Sequence, residues 1–473
     1  MRRIIFFFLS SFFTTCFAFE KIPTQELLLN YLENDIELQN LTLEAKSAAL
    51  SLDYAKVSNG FDVTISSGSV LLNLNDDGTK LSATPSVKMS LPQASGLSIS
   101  AQTDLLLEGD SREVSDSSIS AEIDLISTTT LARKVSLLKA ERSYQESLRS
   151  LQKRAYEAEI EFYTELEDLL SSIKTLIKAE QTLYSDTIDF DSVKAQGYSE
   201  SSSTYRLAQM QVLSDKHSVE SYLRELIRDY VIFYKKCGYD ISLEANLDYL
   251  QLIPDDFENC QAVNVQDFEK SSYSKIEEAL WTNKINSMER RTNSIFTLSA
   301  NSGYTFDNSS TDSDTVDAGL SAAFSGLSVN AGISLPVSSA SSPAISMGFA
   351  LSPSTFKKNS IEKKQASIAE EEELLDIKNA EYDYETYLVT AEQNLESILW
   401  ESQTAKENYE MYSKLADDLE AWYKMGIVTE SEYLSAKTNA EMYQVEILMD
   451  MLEIIIYNDE IKSNFVTLEE NEA

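Results

Sequence analysis

An internally duplicated α+β membrane protein is the fold class this sequence predicts, and three observations predict it. Two segments alternate apolar and polar residues with a period of two, and each is followed by a long run with the 3.6-residue helical period. The second set repeats the first about 230 positions on. Beyond its N-terminus the chain has no apolar stretch near the ~20 residues that a spanning helix needs, so any membrane contact falls to strands.

In chain order, Met1-Arg2-Arg3, the apolar run Ile4 to Phe13 and the small residues up to Ala18 read as a secretory signal peptide over 1–18. A competing reading makes Cys16 a lipidated first residue, although Phe13-Thr14-Thr15 lacks the small residue expected before such a Cys. The first repeat is expected over 19–240. It opens with a helix over 22–58, where Leu38, Leu41, Ala45, Ala48, Leu52 and Ala55 recur at steps of three and four and Asn59-Gly60 close the pattern. Strands fill 60–127. Leu97, Ile99, Ala101, Thr103, Leu105 and Leu107 alternate with Ser98, Ser100, Gln102 and Asp104, and further strands fall at about 61–74, 81–91 and 119–126. A helical hairpin follows over 130–237, broken at Gln196-Gly197-Tyr198-Ser199.

A Pro-containing connector over 241–266 leads into a second repeat over 267–466. Its parts are a helix over 267–291, strands over 294–354 and a hairpin over 356–466 that breaks at Lys424-Met425-Gly426-Ile427-Val428; residues 467–473 make an acidic tail. The duplication is legible in residues. Gly96-Leu97-Ser98-Ile99-Ser100-Ala101 matches Gly326-Leu327-Ser328-Val329-Asn330-Ala331, and Gly197 matches Gly426. In the second long helix Ile377, Ala380, Tyr384, Tyr387, Ala391 and Leu395 form a seam of small and tyrosyl residues, which suits helices side by side in a wall. Helix pattern alone leaves a fibrous or scaffold coiled coil equally open. Alternating strands of about ten residues, inserted twice in an exported chain, have the length and pattern of outer-membrane barrel strands.

Composition removes other classes. The chain of 473 residues has 39 Lys+Arg against 77 Asp+Glu, a formal net charge of −38, so it offers no basic face to nucleic acid. Three Cys and one His leave little from which to build a metal site, and no cofactor motif occurs. His217 lies in a helix among Asp215, Lys216 and Glu220 and reads as a solvated surface side chain, so no nucleophile and base can be paired and no enzyme is expected.

These elements resemble the TolC-type outer-membrane efflux channels over about residues 22–466. The most specific part is Tyr423-Lys424-Met425-Gly426-Ile427-Val428-Thr429-Glu430-Ser431-Glu432-Tyr433-Leu434-Ser435-Ala436, which is similar to the family's Gly, two apolar residues, polar helix start, Leu and Ala; Gln196-Gly197-Tyr198 through Leu207-Ala208 is a fainter copy. The resemblance implies a homotrimer whose strands close one barrel in the lipid of the cell outer membrane and whose helices continue it as a periplasmic tunnel. It also implies two partners, a periplasmic membrane-fusion adaptor at the Gly-containing tips and an inner-membrane transporter. Such a duct would move small molecules or unfolded polypeptide outward. The rival readings are a surface-anchored coiled-coil scaffold without a channel and an uptake or adhesion barrel.

The same resemblance assigns candidate residues. Gly197, Tyr198, Gly426, Ile427 and Val428 fall at the tips as the adaptor contact. Glu432 falls where the family carries a constriction carboxylate, and Tyr423 where it carries a tip tyrosine that helps hold the closed state. Read without the family, Glu432 is a first-turn acid favoured by the helix dipole. Ser435 stands at the second constriction position and Val428 where the family has a basic partner. Family members usually give two long strands per repeat, whereas four shorter ones are expected here, either within the barrel or as outer loops. Finally, Cys237 and Cys260 flank the connector and are expected to form a disulfide, or to remain two thiols.

Overall fold

In a computed structural model of the protein, residues 22–75, 78–91, 96–108, 111–243, 249–254, 256–257, 260–292, 296–307, 314–324, 326–337 and 342–465 are described. The expected signal peptide and acidic tail lie outside them. The helices are α1 (Thr24–Asn34), α2 (Ile36–Ser58), α3 (Thr128–Ala195), α4 (Ser203–Lys236), α5 (Ser274–Thr292), α6 (Pro353–Lys424) and α7 (Glu430–Asn464). The strands are β1 (Asp62–Ser66), β2 (Val70–Asn75), β3 (Gly78–Ala83), β4 (Ser86–Leu91), β5 (Leu97–Glu108), β6 (Ser111–Ile126), β7 (Thr297–Asp307), β8 (Thr315–Phe324), β9 (Leu327–Pro336) and β10 (Ala344–Leu351). Helix, strands and long helical hairpin thus occur twice, and the chain is internally duplicated. It divides into two compact units, one of residues 40–152, 268–388 and 465–473, the other of 1–39, 153–267 and 389–464.

The first unit holds the whole sheet. It is antiparallel, in the order β1-β4-β5-β6-β7-β8-β9-β10, with β2 paired to β3 and β3 to β5. β5 pairs with β4 over Ser86–Leu91 and with β3 over Lys80–Ala83, so β3 and β4 are one interrupted strand, as are β1 and β2 beside them. Pro85 sits in the gap between β3 and β4, where a residue without an N–H cannot extend the ladder. The strand runs at 61–74 and 81–91 are therefore broken ones, and the sheet has eight strand positions, four from each repeat. None of these hairpins is an outer loop. The repeats join where β6 pairs with β7, Ile119 opposite Tyr304. Among the described residues nothing pairs with the outer sides of β1 and β10.

Arginine–carboxylate pairs fasten the helices of this unit. Arg142 and Arg149 of α3 both meet Glu277 of α5, and Arg290 of α5 grips Glu373 of α6 with two bonds of 2.6 and 2.7 Å. Such two-pronged pairs fix direction as well as charge. Tyr273, Tyr384 and Phe465 pack their rings beside them.

The second unit holds both hairpin breaks and an apolar core. Phe162, Leu166, Leu170 and Ile173 of α3 recur at steps of four and three and pack with Leu226, Tyr230 and Phe233 of α4 and Leu452 of α7. Phe162 meets Tyr31 edge-on at 5.5 Å and Phe233 at 5.2 Å. Within 22–58 the helix is interrupted at Asp35. Its backbone turns extended, and its carboxylate accepts from the Leu38 N–H at 2.6 Å and from Arg154 Nη2 at 2.6 Å, which restarts the helix and anchors the break. The helix expected from 267 begins only at Ser274, after short 3-10 turns at Val265–Asp267 and Lys270–Ser272.

Candidate functional site

The sheet presents two unlike faces, because strand residues alternate sides. Ile65, Met89, Ile99, Ile119, Ala300, Leu320, Val329 and Phe349 lie on one face, linked in register from strand to strand. That face is apolar at all eight positions and uncovered: Met347 is 84% exposed and Phe349 81%. The other face carries Ser, Thr, Asn, Gly and a few charges, with Ser100 bonded to Ser120 at 2.7 Å and Ser299 to Ser321 at 2.6 Å. Aromatic residues mark both borders of the apolar face in the second repeat. Tyr304 and Phe306 stand 4.3 Å apart at one end of β7, and Phe324 and Phe349 lie towards the end from which α6 departs. No described helix is long and apolar enough to cross a membrane.

Both hairpin breaks turn on glycine. Gly197 and Gly426 have φ of 76° and 71°, a conformation that L side chains rarely adopt, and open space surrounds each Cα. At the second break Gly426 donates to Tyr423 O and Ile427 to Trp422 O, both at 2.9 Å, the paired bonds of a helix end closed by a left-handed residue. The surfaces of the two breaks differ. Met425 and Ile427 are exposed and Val428 is half-buried, whereas Tyr198 is followed by Ser199, Glu200, Ser201 and Ser202.

Glu432 has a local task. It accepts from the Thr429 N–H at 2.8 Å while its own N–H donates to Thr429 Oγ1 at 3.3 Å, the reciprocal box that starts α7. The Thr429 N–H and, after it, the Thr429 hydroxyl, both donating to the Glu432 carboxylate, hold that group below its ordinary value. The T-x-x-E spacing signals this arrangement directly. Tyr423 stacks on Tyr433 with ring centres 6.0 Å apart. What joins α3 to the start of α7 are two residues the sequence reading did not single out. Gln181 donates to Ser435 Oγ at 3.0 Å, and Tyr184 bonds Glu430. Ser435 thus has a packing partner in place of a constriction carboxylate.

The expected disulfide is not formed, and both thiols are free. Cys237 caps α4 inside the aromatic core, where burial pushes its thiol up to about 12, while Cys260 is exposed beside Asn458. One side chain is buried in the core and the other lies at the surface. His217 is exposed on α4, as its neighbours imply.

These features define a class: a duplicated protein of helical hairpins and a two-faced antiparallel sheet. The chain belongs to the TP096X family, residues 27–257 matching its N-terminal domain and 258–468 its C-terminal domain. No curated protein matches the chain. It is similar to the Neisseria gonorrhoeae MtrE outer membrane channel in its open state, at 13% identity over 93% of this chain and 88% of that one, with a TM-score of 0.47. It is also similar to the outer membrane protein VceC of Vibrio cholerae, at 12% identity over 93% and 96%, TM-score 0.46. A further similar structure is the Campylobacter jejuni CmeC outer membrane channel, at 15% identity over 93% and 85%, TM-score 0.40.

Proposed function

We propose that the protein is an outer-membrane export duct, a ring of three copies whose sheets close into one barrel and whose helices continue the path into the periplasm. The observation that carries this reading is the sheet, apolar and uncovered on one face across every strand position, polar on the other, and unpaired at both edges. In hydrocarbon an unpaired strand edge leaves backbone groups unsatisfied at several kcal/mol each, so β1 and β10 need partners from other copies.

The helices that continue those edges support the same closure. α2, which leads into β1, exposes Leu43, Leu50 and Val57 at steps of seven; α6, which leaves β10, exposes Ile361, Ile368, Leu375 and Tyr382 at the same step. A head-to-tail ring would bury both stripes against each other and pair both strand edges at once. With eight strand positions per chain, three copies give a barrel of twenty-four. At ~4.8 Å between strands and a tilt of ~40°, it would measure about 45–50 Å between opposite strand axes.

Coupling is assigned to the tips, chiefly the apolar turn at Met425, Gly426, Ile427 and Val428, where a helical adaptor hairpin would dock, with Gly197 and Tyr198 as the lesser contact. Tyr423 and Glu432 border the opening, and passage follows when the tips move apart. No covalent chemistry is involved. The test is planar-bilayer conductance of the purified oligomer: steady channels, larger when an adaptor or tip mutation relaxes the periplasmic end, are expected. A protein that inserts without conducting would be a scaffold.

A further inference from the structure

The seam between α3 and α7 contains more acid than base. On α7, Glu446, Asp450, Glu453, Tyr457 and Glu460 recur at alternating steps of four and three, which puts them on one helix face. Glu167 and Lys174 of α3 lie against this face, Glu159 and Tyr163 of α3 lie beside Asp459 at its border, and Glu392, Glu401 and Lys406 of α6 flank it. The bases are largely spoken for: Lys174 pairs with Glu446, and Lys462 with Asp459 at 2.9 Å.

Two details show how the excess negative charge is met. The carboxyl groups of Glu159 and Asp459 are neighbours, and Asp459 is 3% exposed. An ionised carboxylate only accepts, so the two groups attract each other only when Glu159 carries a proton. Asp450 is 4% exposed, and its Oδ2 has no partner; the hydroxyl of Tyr457, 3% exposed and about two helical turns further on, has none either. A carboxylate buried in this way is more stable neutral. The amino groups of Lys174 and Lys406 beside Asp450 repel a metal cation, and among the described residues no group of three acidic, His or Cys side chains could hold one.

We propose that the α3–α7 seam is a proton-binding site in which Glu159, Asp450 and the Glu167–Glu453 pair take up protons, locking α7 against α3. Burial, reinforced by Asp459, pushes Glu159 up to about 7, and burial with Glu453 does the same for Glu167. Burial, then Glu453 and Glu401, pushes Asp450 up to about 6, against the pull of Lys406 and Lys174. These acids bind protons more tightly in the folded protein than in the unfolded chain. Their contribution is complete below the ordinary carboxylate range, near pH 4, and is lost as pH rises through about 6 to 7. α7 begins at the Gly426 turn, so the lock bears on the helix that carries the tip. The seam stands without the channel reading, and only its effect on passage rests on that reading.

Hydrogen exchange of the purified full chain at pH 5.5 and pH 8.5 tests this, with protection factors corrected for the intrinsic rate. Amides of 446–461 should lose protection by about tenfold or more at the higher pH, as one proton or more is released on opening, while strands β5 and β7 change far less. The variant Glu159→Gln/Glu167→Gln/Asp450→Asn, which supplies permanently neutral groups, should keep its protection at pH 8.5. Equal protection of the wild-type segment at both pH values would overturn the proposal, as would the same loss in the variant. Failure of the channel reading would appear separately, as absent conductance with this exchange pattern intact.

Discussion

The unit that holds the sheet and the unit that holds the hairpin turns are stabilised in opposite ways. The sheet unit leaves its widest apolar surface uncovered, Met347 and Phe349 included, and joins its helices by arginine clamps such as Arg290 on Glu373. The turn unit buries Phe162, Leu170, Leu226 and Leu452 in a core of its own and joins α3 to α7 through carboxyl groups that face one another. One unit leaves an apolar face and two strand edges without a partner among the described residues, and the proposed duct would complete it with lipid and neighbouring copies; the other carries its own buried core.

The largest break in that contrast should come from the apolar sheet face. Met347→Arg places a charge where lipid is expected and should cost insertion about 2–4 kcal/mol if the site lies near the bilayer midplane. Ser346→Arg, one residue away on the polar face, should insert normally. Fractionation of outer membranes reads both, and equal insertion of the two variants would mean that the faces do not differ in environment.

Truncating the core of the other unit should cost about 3–5 kcal/mol, as Phe162→Ala removes a fully buried ring. Denaturant unfolding followed by tyrosine fluorescence measures it, and the loss should fall on the turn unit while strand amides keep their protection.

The clamps sharpen the comparison through pH. Arg290 holds the Glu373 carboxyl below its usual range, with burial opposing. A depressed carboxyl stabilises above its unfolded value near 4.5 and loses that contribution as pH falls through the folded one. Arg290→Ala should therefore cost about 2 kcal/mol at pH 7 and progressively less towards pH 3. A loss independent of pH would assign the effect to packing. The α3–α7 acids run the other way, weakening as pH rises.

The smallest structural effect is expected at the tip. Ile427→Asp with Val428→Asp alters exposed and half-exposed positions and should change stability by less than about 0.5 kcal/mol each, yet abolish export where adaptor and pump are present. Unchanged export would remove this turn from the coupling.

Much of this architecture is legible in the residues. The alternation from Leu97 to Leu107, the paired glycines Gly96 and Gly326 at tight turns and the breaks at Gly197 and Gly426 each encode a local backbone demand, and local demands survive reading along the chain. Breaks made by one polar or ring-bearing residue are harder to see. Asp35 interrupts a helix whose apolar spacing runs past it, and Pro85 splits a strand that alternation alone would continue. The acid seam was not legible at all, since Glu159 and Asp459 are 300 positions apart and each resembles any other acid on a solvated helix face. Glu432 shows the reverse case. The spacing that marks a capping box was present, and the resemblance drew attention to the opening instead.

Closure of the open sheet by other copies of the chain would be visible in the mass of the intact complex extracted in mild detergent. Three chains in one particle are expected, with cysteines placed on β1 and β10 cross-linking between chains up to a trimer and no further. A stable particle with the mass of a single chain, its β1 and β10 joined to each other, would contradict it.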